Sequence, residues 1–246
     1  MMQSLRQVIG KNARKFLSKL GYDLVPKYRT PRVEDYLFQT FKNAKKVTYI
    51  QVGAHDGSHN DPISAFRNKK EWQGLLLEPN PAVFSRLEAN LSCHPQHRAI
   101  NVALAETSGT LPFYIVCEPE KCKEPHWADQ ISSFDQQHLM KMLQRFGHSS
   151  KESAELIKTL QVPTTTFADL MDQLTDQVDL IFIDAEGADY RLLKFLPFEK
   201  QKPKLIVFEH AHLSLEEKKE IPILFAQQGY SYAIIGEDIV AERWDT

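Results

Sequence analysis

The chain is short of cysteine, of long apolar runs and of net charge, and each shortage removes a class of protein. Its three cysteines, Cys93, Cys117 and Cys122, cannot all pair with one another, and none stands in a CxxC or Cys/His arrangement with zinc-ligand spacing. A disulfide-stapled fold and a structural zinc module are set aside, and a reducing, cytoplasmic compartment is the expectation. Apolar runs such as Leu180-Ile181-Phe182-Ile183 and Leu205-Ile206-Val207-Phe208 are strand-length, far short of the roughly 20 residues a membrane span needs. Charges spread through the first residues leave no apolar stretch that reads as a secretory signal. With 30 basic and 32 acidic residues the formal charge is −2, which gives no global electrostatic pull toward nucleic acid. A small molecule or a glycan is the partner such a surface accommodates. No internal repeat or low-complexity tract appears, and 246 residues suit one sizeable core rather than two.

Residues 4–20 place Leu5, Val8, Ile9, Phe16, Leu17 and Leu20 at helical spacing, with Arg6, Lys11, Arg14, Lys15 and Lys19 mostly opposite and Gly21 as a stop. A basic amphipathic helix of this kind packs on its own core or on a second copy of the chain more readily than on a membrane surface. A second helical stretch, 33–41, completes an N-terminal helical extension over residues 1–45. From residue 46 onward strand candidates alternate with helix-length segments: 47–52, 72–77, 97–102, 180–183, 204–208 and 230–235. Continuous apolar strands with helices between them suit a mostly parallel sheet buried on both faces, an α/β fold. The last strand differs, because Gly236-Glu237-Asp238 followed by 239–242 reads as a closing hairpin. Residues 117–159 break the alternation with Pro119, Pro125, Trp127 and Ser132-Ser133, and a segment of about 116–160 is the candidate substrate lid.

The stations that carry the chemistry stand at strand ends. Gly53-Ala54-His55-Asp56-Gly57 follows an apolar strand and precedes a helix start, the setting of a cofactor loop. His55 and Ser58 stand where the dinucleotide fingerprint G-x-G-x-x-G needs its second and third glycines. A pyrophosphate loses its close approach there, whereas a nucleoside with an amino-acid tail does not need it. Glu78 ends the next strand in Leu77-Glu78-Pro79-Asn80-Pro81, where a carboxylate can accept from both hydroxyls of a ribose and Asn80 can contact the nucleoside. Asn101-Val102-Ala103 closes the third strand, where an adenine meets apolar contacts and one polar side chain. Asp184 and Glu186, in Ile183-Asp184-Ala185-Glu186-Gly187, leave a buried strand at the ligand-binding edge. They suit a cationic ligand, a divalent metal, a substrate hydroxyl or a helix cap. Phe208-Glu209-His210-Ala211-His212 closes the following strand, and His210 is the first choice for a general base near neutral pH. Carboxylates on adjacent strand ends also allow Mg²⁺ to bridge Asp184 and Glu209.

Taken in order, these stations resemble the FkbM family of S-adenosylmethionine (AdoMet)-dependent methyltransferases over residues 49–241. The residues carrying the resemblance are Val52-Gly53-Ala54-His55-Asp56-Gly57, Asn60-Asp61-Pro62, Glu78-Pro79-Asn80-Pro81, Asn101-Val102-Ala103, Ser132-Ser133-Phe134, Val162-Pro163-Thr164-Thr165-Thr166, Ile183-Asp184-Ala185-Glu186-Gly187 and Glu209-His210. His55 departs from the asparagine common in that family, which puts one polar contact of the loop in question. The resemblance implies a Rossmann-like class I methyltransferase fold, a seven-stranded sheet with a C-terminal antiparallel hairpin. It also implies AdoMet as cofactor and O-methylation of a sugar, glycan precursor or secondary metabolite. On that reading Gly53, Ala54, His55, Asp56, Gly57, Glu78, Asn80, Asn101, Val102, Ala103 and Asp184 hold the cofactor. Ser132, Ser133, Glu186 and Glu209 meet the acceptor, and Asp184 and His210 carry the proton chemistry. Holding the hydroxyl in line with methyl and sulfur can supply roughly 7–11 kcal/mol of the barrier. Two other readings stand beside it. One is an NAD-dependent oxidoreductase, favoured by strand, glycine turn and distal acid but not by the missing glycines. The other is a non-catalytic AdoMet-binding protein that uses the basic N-terminal helix and residues 117–159 for a partner.

Overall fold

The protein's structure, a computed structural model, describes residues 31–174 and 176–244. The amphipathic helix expected over residues 4–20 lies outside the described residues. The core strands are β1 Val47–Val52, β2 Trp72–Leu77, β3 His97–Ile100, β7 Leu180–Ile183, β8 Leu205–Glu209, β9 Tyr230–Ile235 and β10 Asp238–Arg243. Side chains alternate across a sheet. Ile50, Val52, Ile181, Ile183, Ile206 and Phe208 therefore enter one core cluster, while Val47, Tyr49, Leu180, Phe182, Leu205 and Val207 enter another. Both faces are covered, which is why β7 and β8 read as nearly unbroken apolar runs.

The seven strands lie in the order β3-β2-β1-β7-β8-β10-β9. Pairing is parallel from β3 through β8, and β10 runs antiparallel between β8 and β9. The expected hairpin thus closes the sheet, turning through Gly236 at φ 65°. Strand order doubles back at β1, with β2 and β3 on one side and β7 and β8 on the other. Such a reversal opens a crevice beyond the C-terminal ends of β1 and β7. Helix α1, Val33–Phe41, buries Val33, Leu37 and Phe41 against the face carrying Val47 and Trp72. The helix belongs to the compact unit that begins at Val33. Helix α2, Pro81–Leu91, starts where Asn80 accepts from the Ala82 N–H and Pro81 supplies a helical φ.

A second sheet is absent from the sequence reading. It comprises β4 Ala103–Leu104, β5 Gly109–Val116 and β6 Ile157–Thr165, ordered β4-β6-β5. Residues 97–102 were expected to form one strand, but β3 ends at Ile100 and the chain turns at Asn101. Between β5 and β6 lie α3 Pro125–Ala128, α4 Gln136–Arg145 and α5 Ser150–Leu156. Val116, Cys122, Ala128, Ile131, Leu143 and Leu156 give this insertion a small core of its own. It is a packed cap rather than a loose connection. The remaining helices are α6 Phe167–Met171, α7 Asp189–Leu193 and α8 Leu215–Gln228. No helix among the described residues is long and apolar enough to cross a membrane.

Candidate active site

Parallel strands deliver their C-terminal loops to one edge, and here those loops enclose a crevice. The crevice encloses about 100 Å³ and is partly open to solvent. Gly53, Ala54 and His55 form its floor after β1, and Leu77 and Glu78 flank them after β2. Gly53, at φ 73°, crosses the end of β7 so closely that a Cβ would stand 1.7 Å from the Asp184 carbonyl oxygen. His55 follows at φ 48°, a left-handed conformation that costs a side-chain-bearing residue roughly 1–3 kcal/mol. Its N–H donates to Glu78 Oε2 at 3.0 Å, and the Asn80 N–H donates to Oε1 at 2.8 Å. Each Glu78 oxygen keeps a further lone pair. Burial pushes the Glu78 carboxyl up to about 7, against those two N–H bonds and the nearby His55 and Arg86 charges. Three buried side-chain polar atoms lack a hydrogen-bond partner among the described residues, and two of them, His55 Nδ1 and Ser132 Oγ, belong to crevice residues. An unpaired buried polar atom costs about 1–3 kcal/mol, so a polar ligand that satisfied this pair would be favoured.

The wall beyond β7 and β8 is acidic. Asp184 is an exposed residue that lines the crevice, and its carboxylate has no hydrogen-bond partner among the described residues. Its depth there, and the charges of Glu186, Asp189, Glu209 and Asp238, push its pKa well above the carboxylate range. Asp189 accepts from the N–H groups of Ala185 at 3.0 Å and Gly187 at 3.1 Å, yet burial still lifts it to about 7. Burial, with Glu186 and Asp189 nearby, lifts Glu209 to about 8. No lysine or arginine among the described residues pairs with Asp184, Glu186 or Glu209; the nitrogen groups in reach are imidazoles. His138 on α4 brings Nε2 to 3.3 Å from Glu186 Oε2, while His212 Nε2 lies 3.9 Å from that oxygen and 3.7 Å from Glu209 Oε1.

The insertion closes the third side with Asp129, Gln130, Ser132 and Phe134. Asp129 pairs with Arg86 of α2 and stands 3.4 Å from His55 Nε2. Asn60 Nδ2 donates to Gln130 Oε1 at 3.4 Å, and Phe134 meets Phe113 of β5 edge to face at 5.0 Å.

Among the residues expected to hold a cofactor, Gly53, Ala54, His55, Glu78, Val102, Ala103 and Asp184 line the crevice. Asp56, Gly57, Asn80 and Asn101 do not, and each has a structural occupation instead. Asp56 accepts from the N–H groups of Ser58 and His59 and so folds its own loop. Gly57 is glycine because a Cβ would meet Leu87 at 2.7 Å. Asn80 caps α2, and Asn101 Nδ2 donates to the Glu78 carbonyl at 2.8 Å. On the acceptor side Ser132 and Glu186 line the crevice, whereas Ser133 Oγ donates to the Glu186 carbonyl at 3.3 Å and Glu209 stands back beside His212. His210, the expected general base, stands at the hairpin turn. Its Nε2 lies 3.3 Å from the Gly236 carbonyl in the hairpin turn, and it is not a lining residue. An Mg²⁺ bridge between Asp184 and Glu209 is unsupported, because the three potential ligands that converge are His138, Glu186 and His212. The sequence reading passed over His138 and His212. His212 lies in the quoted Phe208–His212 run, but His138 sits on a helix with no spacing motif to mark it.

The family profile described as methyltransferase FkbM domain matches residues 51–232. No curated protein matches the sequence. Among solved structures, the protein is similar to methyltransferase FkbM from Methylobacillus flagellatus KT at a TM-score of 0.50 and 11% identity, over 80% of this chain and 44% of that one. It therefore spans less than half the length of that protein. It is also similar to a putative caffeoyl-CoA O-methyltransferase from Staphylococcus aureus (TM-score 0.46, 12% identity, 99% of this chain and 97% of that one). A precorrin-6y C5,15-methyltransferase from Geobacter metallireducens GS-15 gives 0.45 and 13%, over 91% of this chain and 94% of that one.

Proposed function

The chain belongs to the FkbM methyltransferase family, and from that premise we propose that it transfers the methyl group of AdoMet to a hydroxyl of a sugar, glycan precursor or secondary metabolite. The observation that carries this reading is the crevice at the β1/β7 reversal, around which His55, Glu78 and the unpartnered Asp184 all stand. AdoMet supplies a methyl group already activated on a sulfonium. Glu78 accepts hydrogen bonds from ribose hydroxyls with the lone pairs its two N–H donors leave free. Leu77, Val102 and Leu104 provide apolar wall for the base, and the orphaned His55 Nδ1 and Ser132 Oγ offer polar contacts. Asp184 takes the proton of the acceptor hydroxyl. A raised pKa suits a proton acceptor, and attraction to a cationic donor favours its ionised form. The packed cap excludes water and holds the acceptor against the methyl group.

Calorimetry with AdoMet, S-adenosylhomocysteine and NAD tests the cofactor. We expect the first two to bind and NAD not to, with Glu78→Gln weakening AdoMet by about 10–100-fold, the worth of charge-assisted hydrogen bonds. Binding of NAD alone would sink the reading. Labelled AdoMet offered with sugar and polyketide hydroxyls then identifies the acceptor.

A further inference from the structure

Beside the crevice, three side chains from separate elements bring their ligand atoms together: His138 from α4, Glu186 from the loop after β7 and His212 from the segment after β8. We propose that they form a site for a divalent cation of the zinc class, one that takes imidazole nitrogen and carboxylate oxygen together. The three ligand atoms all lie within 4.8 Å of one another. Two separations are defined, 3.3 Å from His138 Nε2 to Glu186 Oε2 and 3.9 Å from His212 Nε2 to the same oxygen. Both are long for charged hydrogen bonds, which close to about 2.7–2.9 Å. They bracket the edge of a tetrahedron built on metal–ligand bonds of about 2.1 Å, which is about 3.4 Å.

The backbone is shaped to the cluster. Glu186 sits at φ 48° and Gly187 at φ 90°, and a Cβ on Gly187 would stand 3.5 Å from His212 Cβ and 3.7 Å from His138 Nδ1. Those are ordinary van der Waals distances, so the glycine answers to the positive φ of this turn, which carries Glu186 to two rings that meet edge to face with centroids 4.8 Å apart. The charge balance points the same way. Asp184, Glu186 and Glu209 crowd this strand edge with no lysine or arginine paired to any of them among the described residues. The donor set also sets the choice of metal, since Mg²⁺ and Ca²⁺ prefer all-oxygen shells whereas two imidazoles with one carboxylate suit zinc-like cations. Three protein ligands leave a coordination position open. Because Glu186 itself lines the crevice, that position adjoins the acceptor side, where a cation would attract a substrate hydroxyl. Use of the cation on an acceptor rests on the methyl-transfer reading; binding of the cation does not.

The test is titration of tag-free, chelator-stripped full-length protein with Co²⁺ and Zn²⁺, reading bound metal and the visible absorption of Co²⁺. About one equivalent is expected, displaced by Zn²⁺ but not by excess Mg²⁺. Affinity should fall at least about 10-fold in His138→Ala, His212→Ala and Glu186→Gln, and remain unchanged in His126→Ala, an exposed histidine elsewhere in the cap. The conservative His212→Gln, checked for an unchanged melting profile, separates loss of a ligand from loss of the fold. Absence of binding, displacement by Mg²⁺, or equal binding by the His138→Ala, His212→Ala double variant would overturn the site. AdoMet titrated into the same stripped protein separates the two readings. Metal binding without AdoMet binding removes the methyl-transfer reading alone, and the reverse removes only the metal site.

Discussion

At the scale of single residues, the floor of the crevice depends on one missing side chain. A Cβ on Gly53 would lie 1.7 Å from the Asp184 carbonyl oxygen, a backbone atom, so the ends of β1 and β7 would have to part. Gly236 is also left-handed, at φ 65°, but a Cβ there meets nothing within 4 Å. Its replacement should cost only the conformational term, roughly 1–2 kcal/mol. Differential scanning fluorimetry should therefore show Gly53→Ala melting well below Gly236→Ala, and only the former should lose AdoMet binding. Equal losses would mean that the strand ends part easily. The two residues expected to handle protons now separate as well. Asp184 opens into the crevice without a partner, whereas the His210 ring is engaged at the hairpin turn. Once an acceptor is known, Asp184→Asn should lower kcat by about 10²–10⁴-fold, the usual worth of a positioned acid or base, and His210→Ala should leave it within a few-fold. The reverse order would restore His210 as the base.

At the scale of elements, legibility follows burial. Strands β1, β2 and β7 match their sequence-derived limits residue for residue, because they are buried for most of their length and the run ends where the core ends. The small second sheet hid for the opposite reason. β5 is an edge strand containing Pro112, with its first half exposed, and β6 is polar through most of its length. Edge strands tolerate proline and need no continuous apolar run. The site divided along similar lines. Loops that end buried strands were legible through Gly53, Glu78 and Asp184, while His138 and Asp129 reach the site from an insertion whose docking no local pattern encodes. That docking is testable at the level of the cap. Asp129 ties it to Arg86 and approaches His55, and both lie away from the cap's own core of Ile131, Leu143 and Leu156. Asp129→Ala should thus loosen the cap against the crevice without unfolding it. Limited proteolysis should cut residues 117–135 faster in the variant, AdoMet should dissociate faster, and the melting temperature should change little. An unchanged cleavage pattern would show that the aromatic contact between Phe113 and Phe134 suffices to hold the cap.

At the scale of the whole molecule, the buried carboxyls that furnish the crevice set the response of stability to pH. In the folded chain Glu78 and Asp189 keep their protons until about pH 7, whereas their ordinary values are 4.5 and 3.8. Between those limits the folded state binds more protons than the unfolded state, so stability falls as pH rises and levels off above the folded pKa. His97 acts in the opposite sense at lower pH. Burial holds it down to about 4 against an ordinary 6.5, so between these values the unfolded chain binds the extra proton and its contribution to stability climbs with pH. Above pH 6.5 the histidine is neutral in both states and drops out, leaving the carboxyls. Two carboxyls outweigh one histidine between pH 4.5 and 6.5, so chelator-treated protein should lose stability as pH rises across that range and lose a further amount on the order of 1 kcal/mol from pH 6.5 to 8, a fall of a few degrees in Tm for a domain of this size. Asp189→Asn removes one of these titrations and leaves those of Glu78 and Glu209. It also weakens an acceptor for the Ala185 and Gly187 N–H groups, so the variant should melt lower at every pH while showing a shallower decline above 6.5. A decline of undiminished steepness would place the responsible groups elsewhere than in the strand-end carboxyls. A melting temperature rising from pH 6.5 to 8 would mean that their N–H partners outweigh burial.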